Sequence, residues 1–478
     1  MKDVAIIGCG IVGAAAAFEL SKYDVSTVII EACNDVAMGT TKANSAILHA
    51  GYDPKPGTLM AKLNVRGVKL AKELCKKLDV PYSQCGSLVL AFDDDDVKTV
   101  NELYERGNKN GVENMEIWDK EKILEKEPNI SKNVICALYA PSAAIVSPWE
   151  FALALAETAV KNGAEIRLNS KVTSIDKKDG YFTIHTASGD IDAKYIINAA
   201  GVHCEEIHNM VSAPAYKTVA NRGEYYLLDK SEGECVKHVV FQCPTKQGKG
   251  VLVAPTVHGN LIVGPSADDV ADKDDVACTS QGLAKVASLA SKSVPNVNLR
   301  ASIRNFAGNR ALTDCDDFII AQPEDAKGFI DLAGIKSPGL SSAPAIAEMA
   351  VDLLRESGLV LKQKDHFVCE RHRVKFREMS AEERARIISE SPDYGRIICR
   401  CETVTLGEIL DTLKGPIPPC SVDGVKRRCN AGMGRCQGGF CGPRIVEILS
   451  KELGVSPMQI TQDQEGSYLL ASQTKGGN

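Results

Sequence analysis

The 478-residue sequence contains no early apolar run long enough to cross a bilayer. Its longest such stretch, Val4 to Leu20, is interrupted by Gly8, Gly10 and Gly13 and carries Glu19 near its end. Nor is there an excess of basic residues. A formal net charge of −6 gives no global field that would draw the whole molecule to nucleic acid or anionic lipid. Nucleic acid is therefore not an expected partner, and direct membrane insertion is not expected. No secretory signal is expected there either, because Asp3 offsets the positive charge an n-region needs and the apolar stretch reads on as part of a fold. There is no internal repeat or low-complexity tract. These absences predict a cytoplasmic protein whose association with a membrane, if any, runs through a partner. With 44% apolar and 25% charged residues, the chain can bury a core and form more than one domain.

Cysteine is plentiful but unevenly placed. Eleven of the 17 cysteines are scattered singly from Cys9 to Cys369, and six crowd between Cys399 and Cys441. Scattered cysteines in a reducing compartment serve mostly as small buried hydrophobes, whereas a dense group at short spacings points to metal.

Along the chain, VAIIG reads as a strand, IVGAAAAFELSK as a helix packed closely on a sheet, and STVIIEA as a second strand. This order opens a doubly wound parallel sheet. GSLVLAF, YFTIHTA and GVLVAPTVHGNLIVG read as antiparallel strands of a second, substrate-side layer. EFALALAETAVKNGA and EIRLNSKVTSID read as a further helix and strand. The predicted fold is thus α/β: a Rossmann-like unit over 1–361, discontinuous because a substrate domain is inserted at about 81–140 and 214–305. A charged linker follows at 362–392, with one helix between a capping box at Ser380 and Glu383 and the stop at Pro392. Thr405 with Glu408, and Ser456 with Gln459, mark two more helix starts, so 393–460 reads as a small helical four-cysteine module and 461–478 as a tail whose last residues, SQTKGGN, fray.

Gly8, Gly10 and Gly13 stand as GxGxxG. The first permits a tight turn, the second lets backbone approach a pyrophosphate, and the third allows close helix packing. The helix opening at Ile11 and Val12 then presents its N-terminus to phosphate. Glu31 ends the second strand, where a carboxylate can accept hydrogen bonds from both hydroxyls of an adenosine ribose. Strand, turn, helix, strand and acid in this order predict a dinucleotide site.

Three further stretches resemble FAD-dependent oxidoreductases of the glycerol-3-phosphate dehydrogenase and L-2-hydroxyglutarate dehydrogenase group, within the D-amino-acid-oxidase-like family. The resemblance covers nearly all of 1–360. In GTTKANSAILHAGYDPKPGTLMAKL it implies flavin contacts from Thr40, Thr41, Asn44, Ser45 and His49. In YIINAAG it implies that Ala200 and Gly201 pass beneath the FAD, with backbone bonds from Val172 to adenine. GIKSPGLSSAPAIAEMA delivers a Pro-Gly turn, through Gly339, Leu340 and Ser341, into a helix beginning near Ser341 and Ser342. Helix N-termini favour negative charge, so this end and Lys336 would stabilise reduced flavin, anionic around N1 and C2=O.

On the substrate side, SIRNFAGNRALTDCDDF puts Arg304 and Arg310 just before a strand and resembles the family's glycine-arginine motif. This implies that Arg310, a planar fork, holds the anionic group of a small hydroxy substrate. Where aerobic-type glycerol-3-phosphate dehydrogenases carry a histidine in the central strand, this chain has NRGEYYLL, with Arg222, Tyr225 and Tyr226, a phrase closer to the 2-hydroxyglutarate branch. His49 is then the candidate base.

Cys399 and Cys401 form CxC, and after 34 intervening residues Cys436 and Cys441 close RRCNAGMGRCQGGFCGPR. Two close thiolate pairs suit a [2Fe-2S] cluster, with a closed zinc site as the alternative. The pattern is similar to the bacterioferritin-associated-ferredoxin-like domain that ends anaerobic glycerol-3-phosphate dehydrogenase large subunits. Cys420 and Cys429 would be spare, and Lys426, Arg427, Arg428, Arg435 and Arg444, around the second pair, would suit an anionic cluster and could also dock an acidic partner, or else form a solvated basic face. The resulting expectation is oxidation of glycerol 3-phosphate at FAD, with electrons leaving through the cluster to a second subunit or a soluble carrier. The rivals are an L-2-hydroxy-acid or amino-acid dehydrogenase and, outside enzymes, a zinc-knuckle binding protein.

Overall fold

A computed structural model describes residues 1–244 and 250–472; most of the SQTKGGN tail lies outside them. Lys2–Ile7 forms the first strand, and the glycine turn feeds the helix Ile11–Leu20, whose alanine-rich face is buried on both sides. Parallel strands Thr27–Ile30 and Glu165–Arg167 flank it on one side and Ile191–Asn198 on the other, and Ile191–Asn198 also pairs in parallel with Phe329–Ala333. Full burial on both faces explains the near-continuous apolar runs AII and VII in these strands.

EIRLNSKVTSID is not one strand. Glu165–Arg167 lies at one edge of the eight-stranded sheet, and Val172–Lys178 pairs at the opposite side with Tyr181–Thr186. Asn169 in a left-handed conformation, φ 52°, makes the break. YFTIHTA therefore belongs to the nucleotide-side sheet rather than the substrate layer: it joins a hairpin to Val172–Lys178 and is then paired by Ile191–Asn198. A two-residue connection with Gly180 at φ 81° holds it next to its sequence neighbours.

The second, nine-stranded sheet draws its strands from 87–140 and 218–313. Its longest ladder pairs Thr218–Leu228 with Ser302–Thr313, so Arg304 and Arg310 lie within a strand, not before one. At the C-terminal end, the helices Leu406–Leu413, Val422–Cys429 and Gly442–Leu453 pack around Ile409, Val425, Ile445 and Leu449. The capping boxes at Ser380 and Thr405 start α-helices; the one at Ser456 starts only a single 3-10 turn, Pro457–Gln459. Among the described residues no helix is long and apolar enough to cross a membrane.

Candidate active site and cofactor seats

The glycine turn explains itself by packing. Gly8 has φ 95°, and a Cβ there would stand 2.5 Å from the Ala199 carbonyl oxygen; at Gly13 it would stand 2.0 Å from the Gly8 oxygen. Neither position admits a side chain. Gly10 differs, since a Cβ would meet only Thr41 Oγ1 at 3.2 Å. The space beside Gly10 is what a pyrophosphate would fill. The helix Ile11–Leu20 has no side-chain cap, and the Ile11 N–H donates to Thr41 Oγ1 at 2.9 Å. Glu31 accepts from the Cys9 and Cys33 N–H groups at 2.7 and 2.9 Å, one on each oxygen. Burial raises its carboxyl above the ordinary value, against these backbone donors, which lower it. Each oxygen keeps a second lone pair for a ribose hydroxyl. These features fit a bound dinucleotide.

Downstream, the segment 40–49 runs between the two sheets. The Thr40 hydroxyl donates to the Asn309 carbonyl, while Asn44 closes its own loop by donating to the Thr40 and Thr41 carbonyls. Ala43 packs onto Gly308, where a Cβ would come within 2.0 Å of the Ala43 oxygen. Ser45 Oγ lies 3.2 Å from the buried Tyr225 hydroxyl. The His49 N–H donates to Ser341 Oγ at 2.7 Å, its ring stacks on Phe241 at 5.6 Å, and Nε2 lies 3.3 Å from Ser337 Oγ. His49 thus sits against the N-terminus of the helix Gly339–Glu356. That helix starts two residues earlier than the sequence predicts, so Gly339 and Leu340 already belong to it and Ser341 and Ser342 are buried in its first turn. Lys336 precedes this end, half-buried. Ala200 and Gly201 follow directly on Ile191–Asn198 where the Ala199 N–H bonds to the Ile7 oxygen, whereas Val172 starts a strand two places further along the same sheet and pairs with Thr186.

Strand alternation decides which substrate-side residues meet. Asn221, Gly223 and Tyr225 stand opposite Arg310, Gly308 and Phe306 on one face. Arg310 donates to Asn221 Oδ1 at 2.7 Å and to the Ser266 carbonyl at 3.2 Å, and it lies across Gly223, whose absent Cβ would be 2.5 Å from Nη2. Tyr225 stacks on Phe306 at 4.8 Å. Arg222 and Tyr226 point the other way, Arg222 to Asp275 at 2.6 Å and Tyr226 to the Leu283 carbonyl at 3.2 Å. Arg304 is exposed at the far end of the strand. Sequence reading passed over Asn221, Ser266, Phe241 and Phe306; period-two alternation through NRGEYYLL could have found Asn221.

The four cysteines converge, but across the two sequence pairs rather than within them. Cys401 and Cys436 Sγ are 3.7 Å apart, and the Cys399 and Cys441 thiols are hydrogen-bonded, which holds Cys399 below and Cys441 above the ordinary thiol value. Two sulfurs on one tetrahedral metal at about 2.3 Å stand roughly 3.8 Å apart, so the first pair is already at a metal's bite. Gly434 is required where a Cβ would fall 2.2 Å from that of Cys401. No three His, Cys, Asp or Glu side chains among the described residues meet around a single ion; the sulfurs stand as two pairs. Of the basic residues beside them, Arg427 and Arg428 are neither solvated nor free for a partner, being buried and paired with Asp35, and Arg427 also with Asp463, whereas Arg435 and Arg444 are exposed. Lys426 too is largely buried.

Residues 3–353 match the family described as FAD dependent oxidoreductase, and 397–451 match the BFD-like [2Fe-2S] binding domain. The chain is 52% identical to glycerol 3-phosphate dehydrogenase of Caloramator mitchellensis, with 99% of each chain covered. It is 34% identical to glycerol 3-phosphate oxidase of Mycoplasma genitalium, over 76% of this chain and 96% of that one. The dithionite-reduced, FAD-bound L-alpha-glycerophosphate oxidase of Mycoplasma pneumoniae superposes with a TM-score of 0.74 at 32% identity, over 77% of this chain and 98% of that one. The BFD-like match decides between the two metal readings in favour of a [2Fe-2S] centre over zinc. The chain belongs to the FAD dependent oxidoreductase family and carries a BFD-like [2Fe-2S] binding domain at its C-terminal end.

Proposed function

We propose that the protein oxidises sn-glycerol 3-phosphate to dihydroxyacetone phosphate and passes the electrons out through the cluster. The observation that carries this reading is likeness over the full length to a glycerol 3-phosphate dehydrogenase, four-cysteine module included. The oxidase relative, matched over 96% of its own length, leaves about a quarter of this chain uncovered, which fits an electron exit here that an oxidase does not need.

FAD, when bound, supplies a two-electron acceptor, and a [2Fe-2S] centre a one-electron outlet. The residues proposed to hold FAD are Gly8, Gly10, Ile11, Val12, Gly13, Glu31, Thr40, Thr41, Asn44, Ser45, Val172, Ala200, Gly201, Gly339, Leu340 and Ser341. Cys399, Cys401, Cys436 and Cys441 are proposed as cluster ligands. Arg310, preset by Asn221 and the Ser266 carbonyl, anchors the phosphate, with Arg304 further out on the same strand. His49 takes the hydroxyl proton at Nε2, its ring held by Phe241 and Ser337. Tyr225, linked to Ser45, orients the substrate, and Lys336 adds positive charge at the helix end. The proposed units are 1–361, with the insertions near 81–140 and 214–305, then 362–392, 393–460 and 461–478.

The proposed electron acceptor is a separate acidic carrier or subunit that meets the Cys401 side of the module. Cys401 is exposed while Cys399 and Cys441 are 1% exposed. Phe440, between two ligands in sequence, is 84% exposed, and Arg400 and Arg444, each within a few residues of a ligand in sequence, are exposed as well. Any membrane association would run through that partner. Anaerobic addition of glycerol 3-phosphate should bleach bound flavin, and L-2-hydroxyglutarate should not. The reverse result would move the assignment to the 2-hydroxy-acid branch.

A further inference from the structure

Three strands of the nine-stranded sheet each bring one polar residue to the same register. Asp268–Val270 pairs with one edge of Thr218–Leu228 and Ser302–Thr313 with the other, so Asp269, Asn221 and Arg310 stand in a row across the sheet. Residues directly opposite one another share a face. Hydrogen bonds run the length of this row: Asn221 Nδ2 donates to Asp269 Oδ1 at 2.8 Å, and Asn221 Oδ1 accepts from Arg310 Nη1 at 2.7 Å. Of the neighbouring cations, Arg222 is paired with Asp275 and Lys285 with Asp268, so neither is engaged with Asp269.

An amide accepts at one end and donates at the other. Asn221 therefore presents its oxygen to Arg310 only while its nitrogen is turned away, and the Asp269 carboxylate favours that orientation. With the amide turned over, Nδ2 would face the guanidinium, donor against donor. The Asn221 oxygen takes Arg310 Nη1, the Ser266 carbonyl takes Nη2 at 3.2 Å, and the missing Cβ of Gly223 lets the fork lie across the strand. What remains of the fork is Nε and the second Nη2 hydrogen, which make one edge able to hold two oxygens of an anion. Among the described residues, the hydrogen bonds of Arg310 leave from Nη1 and Nη2 and none leaves from Nε.

We propose that Asp269 is a positioning residue for substrate binding: acting through Asn221, it sets Arg310 so that the Nε–Nη2 edge meets the phosphate. This rests on the reading of Arg310 as the phosphate anchor. Asp269 is exposed, and its charge has the same sign as the substrate's. As a mere surface charge it would oppose phosphate, and removing it would tighten binding. As the support of Asn221, its removal loosens binding. The two roles predict opposite signs.

The test is titration of the FAD-loaded, full-length protein with inorganic phosphate, followed by the flavin difference spectrum, alongside KM and kcat for glycerol 3-phosphate. Asp269→Ala should weaken phosphate binding and raise KM by about threefold to tenfold, the worth of one hydrogen bond, with kcat and flavin content held. Asp269→Asn keeps an acceptor for Asn221 Nδ2 and should restore both constants to near the wild-type values. In the Asn221→Ala background, Asp269→Ala should add no further loss, because no amide remains to orient. Phosphate binding that is unchanged or tighter in Asp269→Ala, with Arg310→Lys still weakening it, would overturn the role of Asp269 and leave Arg310 as the anchor. Unchanged binding in Arg310→Lys would overturn the anchor itself, and the role of Asp269 with it.

Discussion

Arg428 grips both carboxylate oxygens of Asp35, Nη1 to Oδ2 and Nη2 to Oδ1 at 2.8 Å each, across nearly the whole length of the chain. Arg427 adds a third bond to Oδ2 at 2.8 Å. Asp35 lies just beyond Glu31, on the stretch leading to Thr40 and Thr41, so the cluster module is pinned directly to the dinucleotide-side loop. Lys42 with Asp463, at 2.5 Å, repeats the tie. Arg427 and Arg428, which look in sequence like part of a surface for an acidic partner, have their acid within the same chain.

Asp35→Asn should therefore release the module while leaving both units folded. Removing one member of a buried pair costs about 3–5 kcal/mol, because Arg427 and Arg428 keep their charge without compensation. The expected readout is faster proteolysis within 362–392 and slower electron delivery to an external acceptor, with FAD retained. The pH dependence follows from the same pair. Burial would raise the Asp35 carboxyl, but Arg428 and then Arg427 outweigh it and hold it at about 2, below the ordinary 3.8. A depressed carboxyl contributes its stability, about 2 kcal/mol here, in full above the ordinary value and loses it as pH falls through about 2. Unfolding curves for wild type and Asp35→Asn should converge as the pH is lowered from 5 towards 2; parallel curves would argue against the pair.

The three motif glycines should not behave alike. Gly13→Ala forces a methyl to within 2.0 Å of the Gly8 oxygen and should prevent folding of the first unit, seen as loss of soluble protein. Gly10→Ala meets only Thr41 Oγ1 at 3.2 Å, so it should give a folded protein with little or no FAD. Equal FAD content in Gly10→Ala and wild type would mean that the space beside Gly10 is not where the pyrophosphate goes.

Arg310→Lys replaces a planar fork, already oriented by Asn221 and the Ser266 carbonyl, with a point charge. KM for the anionic substrate should rise by about tenfold to a hundredfold, equivalent to roughly 1.4–2.7 kcal/mol, with an unchanged flavin spectrum. An unaltered KM would remove Arg310 from the substrate site.

Electron exit separates into two variants. Cys401→Ser should lose the cluster, keep FAD, and still allow one bleaching of the flavin by substrate. Phe440→Glu should keep the cluster, as read by electron paramagnetic resonance after reduction, yet fail to reduce an acidic protein acceptor while reducing a small dye normally. Full turnover with the protein acceptor in Phe440→Glu would place the exit elsewhere.

Local chemistry was legible where short-range rules decide it. GxGxxG followed by Glu31 needs only a strand, a tight turn and a helix in order, and the structure forms them in order. The capping boxes at Ser380 and Thr405 are likewise local, each closing within one helical turn. The box at Ser456 was misleading because capping favours a first turn but does not supply the buried face that extends one.

The placement of YFTIHTA, the split of EIRLNSKVTSID, the facing of Arg310 by Asn221, the cross-pairing of Cys401 with Cys436 and the Asp35 clasp were decided only in three dimensions. Each depends on contacts between residues that one-dimensional periodicity does not connect, such as a sheet edge or a buried charge finding its counter-ion. The sequence by itself determined which chemistries this protein carries, since turn geometry, capping and thiolate spacing act over a few residues. The tertiary structure alone decided which charges are spent inside the molecule and which are left for substrate, because burial fixes the partner of a charge and burial is a property of the whole fold.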